Sequence, residues 1–356
     1  MQEDSTKLAD HIKSLKAEFA AYEAANTLVC VIQNWLDYMW GLEGICGEAM
    51  ELFDRFPRIQ DKWKPDFLVR FRNGYYLIGE IMRTFRPASE DVKQLIAYSR
   101  FDLGSGCHHD VLLIVRAEND DVACSAMASM SHRPNEEDRP VSPIVVLGYY
   151  RDNDAVNGEI LLLKWRDQAG NSRFSPENVP ADAGAADLNS EICDKPYCPL
   201  RINDRVVCLK DRYPFINDEP PPIYTAVWAI WPAIALLLND EERDEMQMRG
   251  IVDKEVSTED ILLLPDSSDA GLSIGLINKA FSFLESVDLA KRVHKDSEMK
   301  YVVHFRQSPS KLSDMLDFFA DKQARSRIRL EKRSKHSHGG RRRQRNSPEQ
   351  TSLFDL

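Results

Sequence analysis

The stretch that decides the fold is Trp63-Lys64-Pro65-Asp66-Phe67-Leu68-Val69-Arg70-Phe71-Arg72-Asn73-Gly74-Tyr75-Tyr76-Leu77-Ile78-Gly79-Glu80-Ile81-Met82-Arg83. Two runs rich in aromatic and β-branched residues flank Asn73-Gly74, the pattern of a β-hairpin. Two turns satisfy it. A two-residue loop pairs Arg72 with Tyr75, sets Asp66 opposite Ile81 and sends Glu80 to the other face. A three-residue loop over Arg72-Asn73-Gly74, with Gly74 left-handed in a bulge, pairs Phe71 with Tyr75 and Asp66 with Glu80. The side-chain pattern favours the second, because Phe67, Val69, Phe71, Tyr75, Leu77, Gly79 and Ile81 then share one wholly apolar face. The other face carries Asp66, Arg70, Arg72 and Glu80 beside Leu68, Tyr76, Ile78 and Met82. Directly opposed residues have Cβ atoms about 5 Å apart. Two carboxylates that close repel. A hard cation such as Mg²⁺, held by carboxylates, water and phosphate, relieves the repulsion.

Read with its neighbours, this hairpin resembles the PD-(D/E)xK nuclease superfamily. Pro65-Asp66 and Glu80-Ile81-Met82 match the motif, with Met82 standing where lysine is expected. Asp91-Val92-Lys93-Gln94-Leu95-Ile96-Ala97-Tyr98 reads as a helix with Gln94 and Tyr98 at i, i+4 on one face. A Gln-x-x-x-Tyr helix after the Glu strand recurs in one branch of that superfamily. Asp110-Val111-Leu112-Leu113-Ile114-Val115 is an apolar run of the kind found in buried strands. The resemblance covers about residues 40–118. It implies Mg²⁺- (or Mn²⁺-) dependent phosphodiester hydrolysis, with Asp66 and Glu80 as metal ligands and Gln94 and Tyr98 positioning the backbone. Glu43, Glu48 or Glu51, in a helix before the hairpin, would complete the acidic set. The departure is the lysine that orients the attacking water. Arg83 points to the wrong face, whereas Lys64 lies opposite Met82 on the face of Asp66 and Glu80. Either Lys64 is a relocated lysine, or the fold keeps DNA or subunit binding without hydrolysis. The bland reading is a solvated polar face on an amphipathic hairpin.

The C-terminus is the second informative region. Residues 322–345 hold eleven Lys/Arg against Glu331 alone, a net of +10, whereas residues 1–321 hold 35 basic and 54 acidic residues, a net of −19. A basic arm on an acidic body suits a polyanion such as DNA. Arg341, Arg342, Arg343 and Arg345 would grip phosphates without reading sequence, and irregular chain is expected from Lys335 onward. A solubilising or subunit-binding tail is the alternative. Gln350-Thr351-Ser352-Leu353-Phe354-Asp355-Leu356 then resembles the bacterial sliding-clamp-binding peptide, with Gln350, Leu353 and Phe354 as its anchors. A tether presenting a short apolar anchor to a groove is a sound docking device; the alternative is that Leu353 and Phe354 pack back on the body.

Between these regions the chain divides, by pattern, into N-terminal helices (1–56), a nuclease-like domain (57–166), a loop-rich linker (167–221), a winged-helix-like domain (222–320), a basic arm (321–349) and the terminal peptide (350–356). Residues 119–142 read as a polar loop, and Arg205–Lys210 as a short strand within the linker. Ile223–Leu238 reads as an apolar helix and Ser257-Thr258-Glu259-Asp260 as a capping pattern. Ser273–Ser286 reads as a helix followed by strand, turn and strand. Helices ending in a basic hairpin suggest a winged helix, with Lys291, Arg292, Lys295 and Lys300 on or beside the wing. Contact with DNA and contact with protein both fit.

The 356 residues and 43% hydrophobic content are enough for two cores. No apolar run reaches the roughly 18 residues of a membrane span, the N-terminus lacks a signal-peptide pattern, and seven scattered cysteines suit a reducing compartment. The expected setting is therefore cytoplasmic and nucleoid-associated, with no membrane partner. Zinc at Cys193, Cys198 and Cys208 lacks a fourth ligand. In Cys107-His108-His109-Asp110 neighbouring side chains point apart, so ordinary thiols and a polar strand start fit better. The resulting expectation is an α/β nuclease-like core, a mixed sheet flanked by helices, then an α+β winged-helix-like domain and a disordered basic tail. Its function would be Mg²⁺-dependent, endonuclease-like DNA processing, directed to replicating DNA by the clamp-binding tail, with DNA, the bacterial sliding clamp and other DNA-processing subunits as partners. The alternative is a catalytically inactive DNA-binding or recruitment factor in transposition, repair or defence.

Overall fold

The computed structural model describes the chain except for residues 1, 42–48, 56, 58, 60–62, 83, 88–89, 134, 153–159, 168–173, 175–196, 203, 217–218, 265–271, 296–297, 307–311 and 344–356. Two compact units emerge. One comprises Glu23–Glu219 with Asp269–Gly271, the other Met1–Tyr22, Pro220–Ser268 and Leu272–Leu356. The first helix, α1 (Gln2–Trp40), contributes to both. Residues 1–22 group with the C-terminal segments, and residues 167–219 with residues 57–166.

The first unit is built on a seven-stranded mixed sheet of order β1-β2-β3-β4-β5-β6-β7. Its strands are β1 (Met50–Asp54), β2 (Phe67–Phe71), β3 (Tyr75–Met82), β4 (His108–Arg116), β5 (Ile144–Asp152), β6 (Ile160–Asp167) and β7 (Tyr197–Arg201). Strands β3, β4 and β5 run parallel, and the remaining pairs are antiparallel. Each parallel link needs a crossover, supplied by α2 (Glu90–Ser99) and α3 (Asp120–Ser131). These helices cover one sheet face, where Ile78, Met82, Val111, Leu113, Val115 and Val146 meet Leu95, Ile96, Ala123 and Met127. On the other face Phe67, Val69, Phe71, Leu77 and Ile81 are buried, and Trp40 of α1 meets Phe71 edge-on at 6.4 Å. Burial from both sides is why β4 reads as a continuous apolar run.

Several expectations are corrected here. Met50–Asp54 is a strand, so Glu51 lies on β1 and not on a helix. Residues 119–142 hold α3, which seats Ala123, Met127 and Met130 in the core. The expected strand at Arg205–Lys210 is the helix α4 (Asp204–Arg212).

The second unit holds the helical stretch Pro222–Leu237, comprising α5 (Pro222–Thr225), a π-helical turn (Ala226–Ile230) and α6 (Trp231–Leu237). Pro232 has no N–H for an i→i−4 bond, and the wider π turn immediately before it accommodates that loss. There follow α7 (Asp240–Arg249), β8 (Ile251–Ser257), α8 (Thr258–Leu262), α9 (Ile274–Ser286), β9 (Ala290–Lys295), β10 (Glu298–Arg306) and α10 (Leu312–Arg343). Ser257 and Asp260 form the expected capping box, and Ser273 caps α9 by accepting from the Leu276 N–H. Strands β8, β10 and β9 make an antiparallel sheet in that order. Its core stacks Phe281 on Tyr301 at 4.1 Å and sets Trp231 against Phe305 at 4.8 Å and Phe319 at 5.1 Å. Helix α10 lies along the first half of α1, with ion pairs from Lys16 to Asp317 and from His11 to Glu331. Its backbone is helical through Arg343, which corrects the expectation of irregular chain from Lys335. Arg345 and the terminal peptide with Gln350, Leu353 and Phe354 lie outside the described residues. Among the described residues, no single helix is long and apolar enough to cross a membrane.

Candidate active site on the β2–β3 hairpin

The hairpin adopts the three-residue loop. Gly74 has φ +77°, a left-handed conformation that glycine takes without steric cost. Its N–H donates to the Phe71 carbonyl at 3.2 Å, and the Tyr75 N–H donates to Asn73 Oδ1 at 3.0 Å. The ladder pairs Arg70 with Tyr76, Val69 with Leu77, Leu68 with Ile78 and Phe67 with Gly79. One step further, that register sets Asp66 opposite Glu80.

Asp66 stands just before β2 and is only 6% exposed. Its Oδ2 accepts the Ile81 N–H at 2.7 Å, so the carboxylate takes the place of a ladder carbonyl at the end of the pairing. Glu80 is half-buried and projects toward α2. Gln94 Nε2 donates to Glu80 Oε1 at 2.9 Å, and Tyr98 Oη donates to Glu80 Oε2 at 3.2 Å. Gln94 Nε2 also donates to Tyr98 Oη at 2.6 Å. One helix face therefore grips both oxygens of one carboxylate, because i and i+4 lie one above the other. Burial first, then the charge of Glu80 and, less, of Asp66, pushes the Tyr98 hydroxyl well above the usual phenol range. It remains a protonated donor in a pocket of negative potential.

The structure thus brings together Asp66, Glu80, Gln94 and Tyr98, but Lys64 is not part of the cluster. Lys64 is exposed and forms no ion pair with the described residues. Met82, at the lysine position, is buried at 7% exposure in the core beneath α2 and α3. Glu51 pairs with Arg70 at 3.1 Å, and Glu43 and Glu48 lie outside the described residues. Among the described residues no three His, Cys, Asp or Glu side chains are grouped as metal ligands.

The supposed nucleic-acid contacts divide. Lys291 is exposed. Arg292 is held by Glu285 at 3.0 Å and lies over the Tyr301 ring at 5.6 Å. Lys300 is 3.5 Å from Glu255. Lys295 ends β9, and Arg341, Arg342 and Arg343 end α10.

At the start of β4, successive side chains do point apart. His109 Nε2 lies 2.9 Å from the Tyr98 carbonyl and Nδ1 3.3 Å from Ser142 Oγ. Asp110 Oδ2, on the opposite face, accepts from Tyr75 Oη at 2.8 Å and from the Phe174 N–H at 3.0 Å. Sequence reasoning missed the His109–Ser142 and Asp110–Tyr75 pairs, which join residues 33 and 35 apart, distant in the sequence.

No family model, curated protein or solved structure matches the chain.

Proposed function

We propose that this chain is a DNA-processing protein whose seven-stranded unit is a metal-dependent endonuclease of the PD-(D/E)xK type. The observation that carries the reading is the face-to-face placement of Asp66 and Glu80, with Gln94 and Tyr98 of the next helix closed on Glu80. Two carboxylates on adjacent strands, facing each other across the hairpin, suit a hard divalent cation. Asp66 and Glu80 would hold Mg²⁺ or Mn²⁺, and bound there the ion supplies a Lewis acid and a more acidic water. Gln94 and Tyr98 fix the Glu80 carboxylate, and Ile81 fixes that of Asp66, so both are preorganised by the fold.

In the second unit, α9 followed by the β9–β10 hairpin supports a winged-helix-like module. Lys291 is an exposed cation of that module. The acidic partners of Arg292 and Lys300 favour contact with protein at that face. The terminal peptide would bind a bacterial sliding clamp, raising local concentration at replicating DNA.

Met82 and Lys64 favour a second reading, a catalytically silent DNA-binding or recruitment factor. The lysine position is filled by a buried thioether, and Lys64 is exposed and forms no ion pair with the described residues. Incubating supercoiled, linear and branched DNA with Mg²⁺ or Mn²⁺ separates the two. The endonuclease is expected to nick, and Asp66→Ala and Glu80→Ala to abolish nicking. Loss of nicking in Lys64→Ala would identify the relocated lysine. No cleavage of any substrate by the folded protein, with DNA or clamp binding intact, would establish the recruitment factor.

A further inference from the structure

At the other end of the parallel strands, about 13 Å from Glu80 by strand rise, a polar cavity of about 410 Å³ opens at the start of β4. Its walls include Ser142, His109, Ser99, Arg100, Phe101 and Cys107. His109 is 8% exposed, and a carbonyl oxygen can only accept. The 2.9 Å contact with the Tyr98 carbonyl therefore puts the imidazole proton on Nε2. Nδ1 is left as a bare acceptor, and the Ser142 hydroxyl, 3.3 Å away, is the donor. A serine hydroxyl, a histidine base and a third group fixing the tautomer are the parts of an activated nucleophile, here with a backbone carbonyl as the third group. Catalytic hydrogen bonds are commonly long in ligand-free enzymes.

The surroundings hold this pair in place. The Ser142 N–H donates to the Ser99 carbonyl at 2.9 Å, and the Val141 N–H donates to Ser99 Oγ at 3.2 Å. Ser99 is fully buried at the end of α2. Burial also lowers the His109 pKa, keeping the ring neutral and able to take a proton. Arg100 lines the wall together with Asp102 and Asp110, its guanidinium held by the carbonyls of Arg139 and Glu136.

We propose that Ser142 and His109 form a second site, for acyl transfer from small carboxylic esters, separate from the Asp66–Glu80 pair. Ser142 Oγ attacks the carbonyl carbon while its proton passes to His109 Nδ1. The tetrahedral intermediate expels the alcohol, which leaves with that proton, and the acyl group stays on Ser142. Water then attacks the acyl-enzyme by the same route, releasing the acid and the free serine.

The test treats the full chain, in EDTA, with a fluorophosphonate probe, maps the adduct by peptide mass spectrometry and follows p-nitrophenyl acetate hydrolysis. A single adduct on Ser142 is expected, with ester hydrolysis at least tenfold slower in Ser142→Ala. Since His109→Gln removes a buried group and risks unfolding, Ser142→Cys gives an independent reading. The thiol it introduces should react with iodoacetamide faster than exposed Cys208 in the same molecule. An adduct on another residue, no adduct, hydrolysis unchanged in folded Ser142→Ala, or an introduced thiol slower than Cys208 would each overturn the proposal.

Discussion

The carboxylate pair depends on Gly79 as much as on the acids themselves. A Cβ at Gly79 would stand 2.0 Å from the ring of Phe67, its cross-strand partner. That ring is fully buried and stacked on Phe53 at 5.0 Å, so it has little room to swing aside. Phe67 follows Asp66 and Gly79 precedes Glu80, so any relief of the clash moves both carboxylates. Gly79→Ala is expected to destabilise the protein by about 1–3 kcal/mol, the usual range for an overpacked core. It should appear as a lower denaturant midpoint, and Phe67→Leu in the same background should recover part of the loss. An unchanged midpoint would mean that the ring yields freely and that glycine is not required there.

Among the elements, α2 is tied to the sheet through its last turns: Gln94 and Tyr98 hold Glu80, and the Tyr98 carbonyl accepts from His109. Burial lowers the His109 pKa, outweighing the opposing pulls of the Tyr98 carbonyl and, less, of Asp110. A free histidine titrates near pH 6.5. Below that pH the unfolded chain binds a proton that folded His109 resists, so stability is complete above about pH 6.5 and declines as the pH falls. The melting temperature should therefore drop between pH 7 and 5, and drop less in His109→Gln, whose amide can still donate to the Tyr98 carbonyl. Equal drops in both proteins would place the acid sensitivity elsewhere. The hairpin register was legible because Gly74 and the period-two pattern pointed to one turn, and Gln94 and Tyr98 because i, i+4 spacing defines a face. Strand β1 was not, since Met50-Glu51-Leu52-Phe53-Asp54 has no β-branched residue and no clean alternation. Helix α3 spaces Ala123, Met127 and Met130 correctly, but serines and acids dilute the stripe. In α4, Arg205-Val206-Val207-Cys208-Leu209-Lys210 has the β-branched composition of a strand, yet packing buries Val206 and leaves Val207 exposed on a helix. The His109–Ser142 pair depends on β4 and β5 lying side by side, which local pattern does not encode.

Over the whole chain the charge is divided, with −19 on residues 1–321 and +10 on residues 322–345. An acidic body repels nucleic acid, so the proposed binding has to begin on the arm. The core contacts of α10 come early, at Met315, Phe319, Ala320 and Ala324, so the chain can be cut after Glu331 without removing them. That cut deletes seven basic residues between Lys332 and Arg345. Each phosphate neutralised on a duplex contributes about −0.9 to the slope of log K against log salt, so full engagement of these seven residues contributes roughly −6. The full chain is expected to bind duplexes of unrelated sequence with a slope approaching that value. The protein lacking residues 332–356 is expected to keep its melting temperature and to lose most of both the affinity and the slope. A truncated protein whose affinity and slope match the full chain would move the nucleic-acid contact to the folded units, with Lys291 as the first residue to substitute there. Retained affinity with a shallow slope in both proteins would mean that base or shape contacts, not counterion release, hold the duplex. In that case the arm's charge would serve a protein partner.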